Sequence, residues 1–108
     1  MSGKTVYAVH KCRSFRTNSK QSLDTIVWDP HQEYDWKASY CTASWDHFER
    51  TVKKWKNCAV FIDEAHRKLG LHDDENHWLA KEIRKWGHLC YYITQQPMDL
   101  GKPVRVEV

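Results

Sequence analysis

No stretch of the chain approaches the roughly 18 consecutive apolar residues of a bilayer span, and the N-terminus lacks the apolar core of a secretory signal. These two absences lead us to expect a soluble, cytoplasmic protein. Cys-x-x-Cys pairs are also missing, and the four cysteines, Cys12, Cys41, Cys58 and Cys90, stand at long, uneven spacings. Three of them fall inside apolar or periodic segments where a small hydrophobe would serve, so reduced, buried thiols are expected. His66, His72 and His77 match no zinc spacing, and structural or surface roles are expected for them. The chain has no internal repeat, low-complexity tract or flexible linker, and 108 residues leave no room for a second domain.

What remains is the composition of a globular domain, with 41% hydrophobic and 29% charged residues. The net charge of +3 leans toward an acidic partner such as nucleic acid. Lys53, Lys54 and Lys56 flank Trp55, a run that a solvated helix face explains equally well.

The periodicity predicts an α/β domain. Thr5, Ala8, Val9, Cys12 and Phe15 recur at helical spacing from Lys4 to about Arg16, before a polar loop that runs to Ser22. Thr25 to Trp28 is a short β-branched run closed by Asp29 and Pro30, where a proline stops the ladder. Ser44 is an N-cap for a second helix with Trp45, Phe48, Val52 and Trp55 on one face. Cys58 to Ile62 is apolar without interruption, as a strand covered on both faces must be, and such strands belong to parallel sheets. A third helix is expected from Asp73 or Asp74, with Leu79, Ile83 and Trp86 inward and Gly87 as its stop. Leu89 to Ile93 reads as another buried strand and Val104 to Val108 as a half-exposed edge strand. Alternating strands and helices imply parallel pairing through right-handed crossovers.

Two segments carry candidate chemistry. Ser2, Gly3, Lys4 and Thr5 open directly into the first helix, as does the end of the Gly-x-x-x-x-Gly-Lys-Ser/Thr phosphate loop. Amides at such a helix start point at phosphate oxygens, a lysine reaches the β and γ groups, and the threonine hydroxyl can ligate Mg²⁺. The strand ending at Ile62 runs straight into Asp63 and Glu64. Ligands bind at that edge of an open α/β sheet. Asp63 is placed to hold a magnesium ion and Glu64 to accept a proton from water attacking a γ-phosphate. Because side chains alternate along a strand, the two carboxylates are expected to project differently. One strand and two helices separate Lys4 from this pair. Thr94, Gln95, Gln96 and Pro97 follow the next buried strand, where a polar residue can sense the same phosphate.

The segment Val27 to Tyr34, the run Val60 to His66, the helix end Ile83 to His88 and the segment Ile93 to Pro97 together resemble the FtsK/HerA superfamily of P-loop ATPases. The likeness is to its viral and phage genome-packaging and zonular occludens toxin-like branches, and it covers nearly the whole chain. It implies a RecA-like P-loop core, ATP and Mg²⁺ as cofactors, a homo-oligomeric ring, and ATP-driven movement of DNA in a host cytoplasm or virion. By motif it makes Gln95 the sensor glutamine and Arg84 a trans-acting arginine, with Arg105 as its substitute. That family carries a strand and a first glycine ahead of its Ser-Gly-Lys-Thr, whereas only Met1 precedes Ser2 here. The resemblance therefore predicts a sheet with a gap beside the strand that bears Asp63, and a Met1 that is internal to a longer protein, a mis-assigned start or the start of a truncated reading frame. Asp63, Glu64, Ala65 and His66 also spell the box of DEAH helicases, without the Ser/Thr-Ala-Thr element that should follow it. A non-catalytic truncated P-loop subunit is the remaining alternative.

Overall fold

The computed structural model describes residues 3–17, 23–65, 82–93 and 106–107. Among them the elements run α1 (Gly3–Thr17), β1 (Thr25–Trp28), β2 (Tyr40–Thr42), α2 (Trp45–Lys54), β3 (Ala59–Ile62), a 3₁₀ turn (Ile83–Trp86), β4 (Leu89–Tyr92) and β5 (Val106–Glu107). The strands form one sheet in the order β2-β1-β3-β4-β5, and every neighbouring pair is parallel. The result is a small α/β fold with a parallel sheet flanked by helices.

Burial on both faces explains why the central strands read as unbroken apolar runs. Successive side chains of a strand point to opposite faces. Val27, Ala59, Phe61 and Tyr91 accordingly join Ala8, Val9, Cys12 and Phe15 of α1 in one cluster. Ile26, Trp28, Val60, Ile62, Cys90 and Tyr92 join Phe48 and Val52 of α2 in the other. At the centre of the α1 face, Phe61 stacks on Tyr91 with centroids 4.7 Å apart, while Trp36 at 5.9 Å and Phe15 at 6.3 Å pack around it at tilted angles. Offset and tilted aromatic contacts of this kind add about 0.5–1.5 kcal/mol each beyond the area they bury.

The helical face expected in α1 is buried from Thr5 to Phe15. Ser44 caps α2 as expected, its hydroxyl accepting from the His47 amide, but the helix is shorter than the apolar stripe. Trp55 already has an extended backbone at the C-cap, and Trp45 and Trp55 are only half-buried. Of the third helix, residues 66–81 lie outside the described residues, and with them Asp73, Asp74 and Leu79. Its end is a 3₁₀ turn and not an α-helix. Ile83 is buried there, and Gly87 leaves the turn at φ 79°. A Cβ on Gly87 would lie 2.0 Å from the Asn57 side-chain oxygen, which would have to swing aside, so the dihedral angle is the stronger reason for glycine here.

The sheet differs from the sequence reading at two places. The strand β2 was not anticipated, because three half-exposed residues at a sheet edge carry little apolar signal. The expected gap beside the Asp63 strand is absent, since β3 pairs with β1 on one side and β4 on the other. The cysteines are free, with Cys12, Cys58 and Cys90 buried and Cys41 exposed. Burial pushes the Cys90 thiol up to about 12, which keeps it protonated. No helix among the described residues is long and apolar enough to cross a membrane.

Candidate functional site

β1 and β3 are in register, with Trp28 opposite Ile62, and both end there. The next residue on each is an aspartate, Asp29 after β1 and Asp63 after β3. The Asp63 amide donates to the Trp28 carbonyl at 3.0 Å, so the two acids leave neighbouring strands at the same carboxyl edge. Both are buried, at 0% and 6% relative exposure.

Their surroundings differ. Asp29 Oδ1 accepts the His31 and Gln32 amides at 3.2 and 3.0 Å, and its Oδ2 accepts the buried Trp36 indole N–H at 2.9 Å. Those bonds fold the segment after Pro30 into a fixed loop in which Gln32 and Lys37 take positive φ. Asp63 Oδ1 accepts the Glu64 amide at 2.9 Å. Burial above all, opposed by the Glu64 amide, and then the neighbouring carboxylates Asp29 and Glu64, opposed by His31, together bring the Asp63 carboxyl up to about 6. A buried acid raised in this way is a place where a cation is favoured.

Glu64 does not continue the strand alternation assumed from the sequence. β3 stops at Ile62 and Glu64 has φ 54°, a left-handed conformation that costs a non-glycine residue about 1–2 kcal/mol. The chain turns there, the Ala65 amide donates to the Ile93 carbonyl at 3.0 Å, and Glu64 projects from the turn. Its Oε1 lies 3.8 Å from His31 Nε2, with the two side chains 27% and 50% exposed. His31, Trp36 and Asp29 had no site role in the sequence reading. The dipeptide Asp29-Pro30 was the available signal, but what its carboxylate binds could not be read from it. Tyr34, on the same loop, has its phenol pushed up by burial, then by Glu33, Asp63 and Asp29.

α1 completes this edge. Its last turn meets the start of β1, where the Leu23 amide donates to the Phe15 carbonyl at 3.3 Å, and the helix packs over β1 and β3. With its last turn at the start of β1, α1 runs back over the sheet in the direction of the edge where β1 and β3 end. Gly3 and Lys4 are helical in backbone, and the Thr5 side chain is 8% exposed. Ser2 and the side chain of Lys4 lie outside the described residues, as do Thr94, Gln95, Gln96, Arg105 and the side chain of Arg84, whose backbone belongs to the 3₁₀ turn.

No family model, curated protein or solved structure matches the chain. The functional reading therefore rests on this edge and on the sequence motifs.

Among the described residues, no group of three or more His, Cys, Asp or Glu is arranged to hold a metal ion by itself. Asp63 offers a single buried carboxylate at this edge, which suits Mg²⁺ only in the sense that this ion usually takes one or two protein oxygens and fills its octahedron with water and substrate phosphate. His66, His72 and His77 lie outside the described residues.

Proposed function

We propose that the chain is a P-loop ATPase core of RecA-like architecture, and the observation that carries this is the buried parallel strand β3 delivering Asp63 and Glu64 to the carboxyl edge of the sheet. In this reading the amides of Gly3, Lys4 and Thr5 hold phosphate oxygens at a helix N-terminus, with Ser2 beside them and the Lys4 ammonium on the β and γ groups. Thr5 and Asp63 hold Mg²⁺, which when bound neutralises charge on the phosphates. Glu64, turned out of the strand, accepts the proton of the attacking water.

Asp63 suits the first carboxylate's task because it is nearly buried and engaged through Oδ1 by an amide. Glu64 suits the second because it is partly open to solvent beside a nearly buried acid. Gln95 as phosphate sensor, Arg84 as a finger reaching a neighbouring subunit, a ring-shaped homo-oligomer and DNA as the moved substrate belong to the proposal through the FtsK/HerA resemblance. Two features favour this core over an inert α/β module. One is the charge held in a buried position, and the other is the left-handed backbone at Glu64, since strain and unfavourable burial concentrate at functional sites.

Titration of a fluorescent ATP analogue with Mg²⁺ tests it, using the wild-type chain, Lys4→Ala and Asp63→Asn. Saturable binding that needs Mg²⁺ and weakens in both variants supports the reading. Equal binding by all three removes Lys4 and Asp63 from a nucleotide site.

A further inference from the structure

We infer that His31 is the positioning residue for Glu64, an inference that rests on the ATPase reading and adds to it a residue on a different strand end. Three observations converge. First, the His31 backbone is fixed, because its amide donates to Asp29 Oδ1 at 3.2 Å and that carboxylate is itself held by Gln32 and by the buried Trp36 indole. Second, the imidazole faces Glu64, with Nε2 3.8 Å from Oε1. Third, Glu64 sits on a left-handed turn just past β3, so its carboxylate does not follow the strand ladder and is open to orientation from the neighbouring strand end.

The distance is longer than a hydrogen bond, which for N–H···O ends near 3.2 Å. Contacts of catalytic groups are often loose without substrate and tighten when it binds. With the His31 backbone anchored, a small rotation of either side chain closes the gap. Oε1 then takes the imidazole N–H, which sets the plane of the carboxylate toward the water that Glu64 deprotonates. Holding one oxygen fixes the direction of the other, and misplacement of a reacting group by about 1 Å costs up to about 10²-fold in rate. His31 touches neither phosphate nor water in this arrangement and acts through Glu64 only.

Two measurements test it. Long-range ¹H–¹⁵N spectra of histidine-labelled protein should show the His31 ring signals moving in Glu64→Gln while those of His47, exposed on α2, stay in place. Unmoved His31 signals would remove the contact and the inference with it. Single-turnover ATP hydrolysis by His31→Ala should fall about 10-fold or more, with affinity for Mg·ATP within about twofold of wild type. His31→Asn, which keeps an N–H donor, should recover part of the loss, and His31→Ala combined with Glu64→Gln should be no slower than Glu64→Gln alone. Wild-type hydrolysis by His31→Ala, or multiplicative losses in the double variant, would overturn the role while leaving the ATPase reading intact. A wild-type chain that binds and hydrolyses no ATP would remove both.

Discussion

Asp29 and Asp63 end neighbouring strands in matching register, yet the molecule uses them in opposite ways. Asp29 receives three hydrogen bonds, two from amides and one from the Trp36 indole, and so builds a loop. Asp63 receives one amide at Oδ1 and is pushed up to about 6, chiefly by burial. The difference teaches that a buried carboxylate stabilises a fold when its oxygens are satisfied, and otherwise marks a place where stability is given up for charge.

The sharpest way to break this contrast is Asp29→Ala. It strands the Trp36 indole N–H and removes the acceptor of two loop amides, a loss of about 4–6 kcal/mol at roughly 1 kcal/mol per bond plus the cost of a buried unsatisfied donor. Urea denaturation should show this loss, and a change below about 1 kcal/mol would mean that the loop is held by other contacts. The next effect in size is on chemistry. Glu64→Gln keeps the shape but cannot take a proton, so single-turnover ATP hydrolysis should fall about 10²-fold or more with nucleotide still bound. Hydrolysis at the wild-type rate would dismiss Glu64 as the base.

Asp63→Asn should move in the other direction from Asp29→Ala. It keeps an oxygen for the Glu64 amide and deletes the disfavoured charge, so stability should rise at pH 8 by about 1–2 kcal/mol, allowing for partial screening by solvent. The sign follows from a folded-state pKa raised to about 6 from 3.8. The wild-type penalty is complete above pH 6, is relieved as pH falls through 6, and vanishes below about 4, where the two proteins should converge. His88 destabilises both proteins equally at low pH. Its buried ring accepts the Cys58 amide at Nδ1 and lies 2.8 Å from the Val52 carbonyl through Nε2, and burial holds its pKa below 6.5. Stability from His88 is thus lost as pH falls below 6.5, but it cancels in the difference between the two proteins. The smallest effect expected is Glu64→Gly. Relief of the left-handed backbone, worth about 1–2 kcal/mol, is offset by the chain entropy of glycine, about 0.5–1 kcal/mol. A net gain below about 1 kcal/mol in thermal unfolding, with hydrolysis abolished, would show strain retained for function.

The central strands were legible because burial on both faces demands continuous apolar runs, as in Thr25 to Trp28 and Ala59 to Ile62. The α1 face and the Ser44 cap were legible for similarly local reasons, since helix period and capping chemistry act within a few residues. Only the tertiary structure decided the rest. β2 exists because β1 offers it an edge, and the 3₁₀ end at Ile83 was not visible in the apolar spacing. Asp29 and Asp63 are both acids after apolar strands, and nothing local separates the loop builder from the charged one. That distinction came from Trp36 and His31 folding back beneath one carboxylate while the other kept a single amide. The apolar pattern thus determined which segments are buried. The partners of each buried polar atom depend on the packing of distant residues, and those partners divide the labour between the two acids.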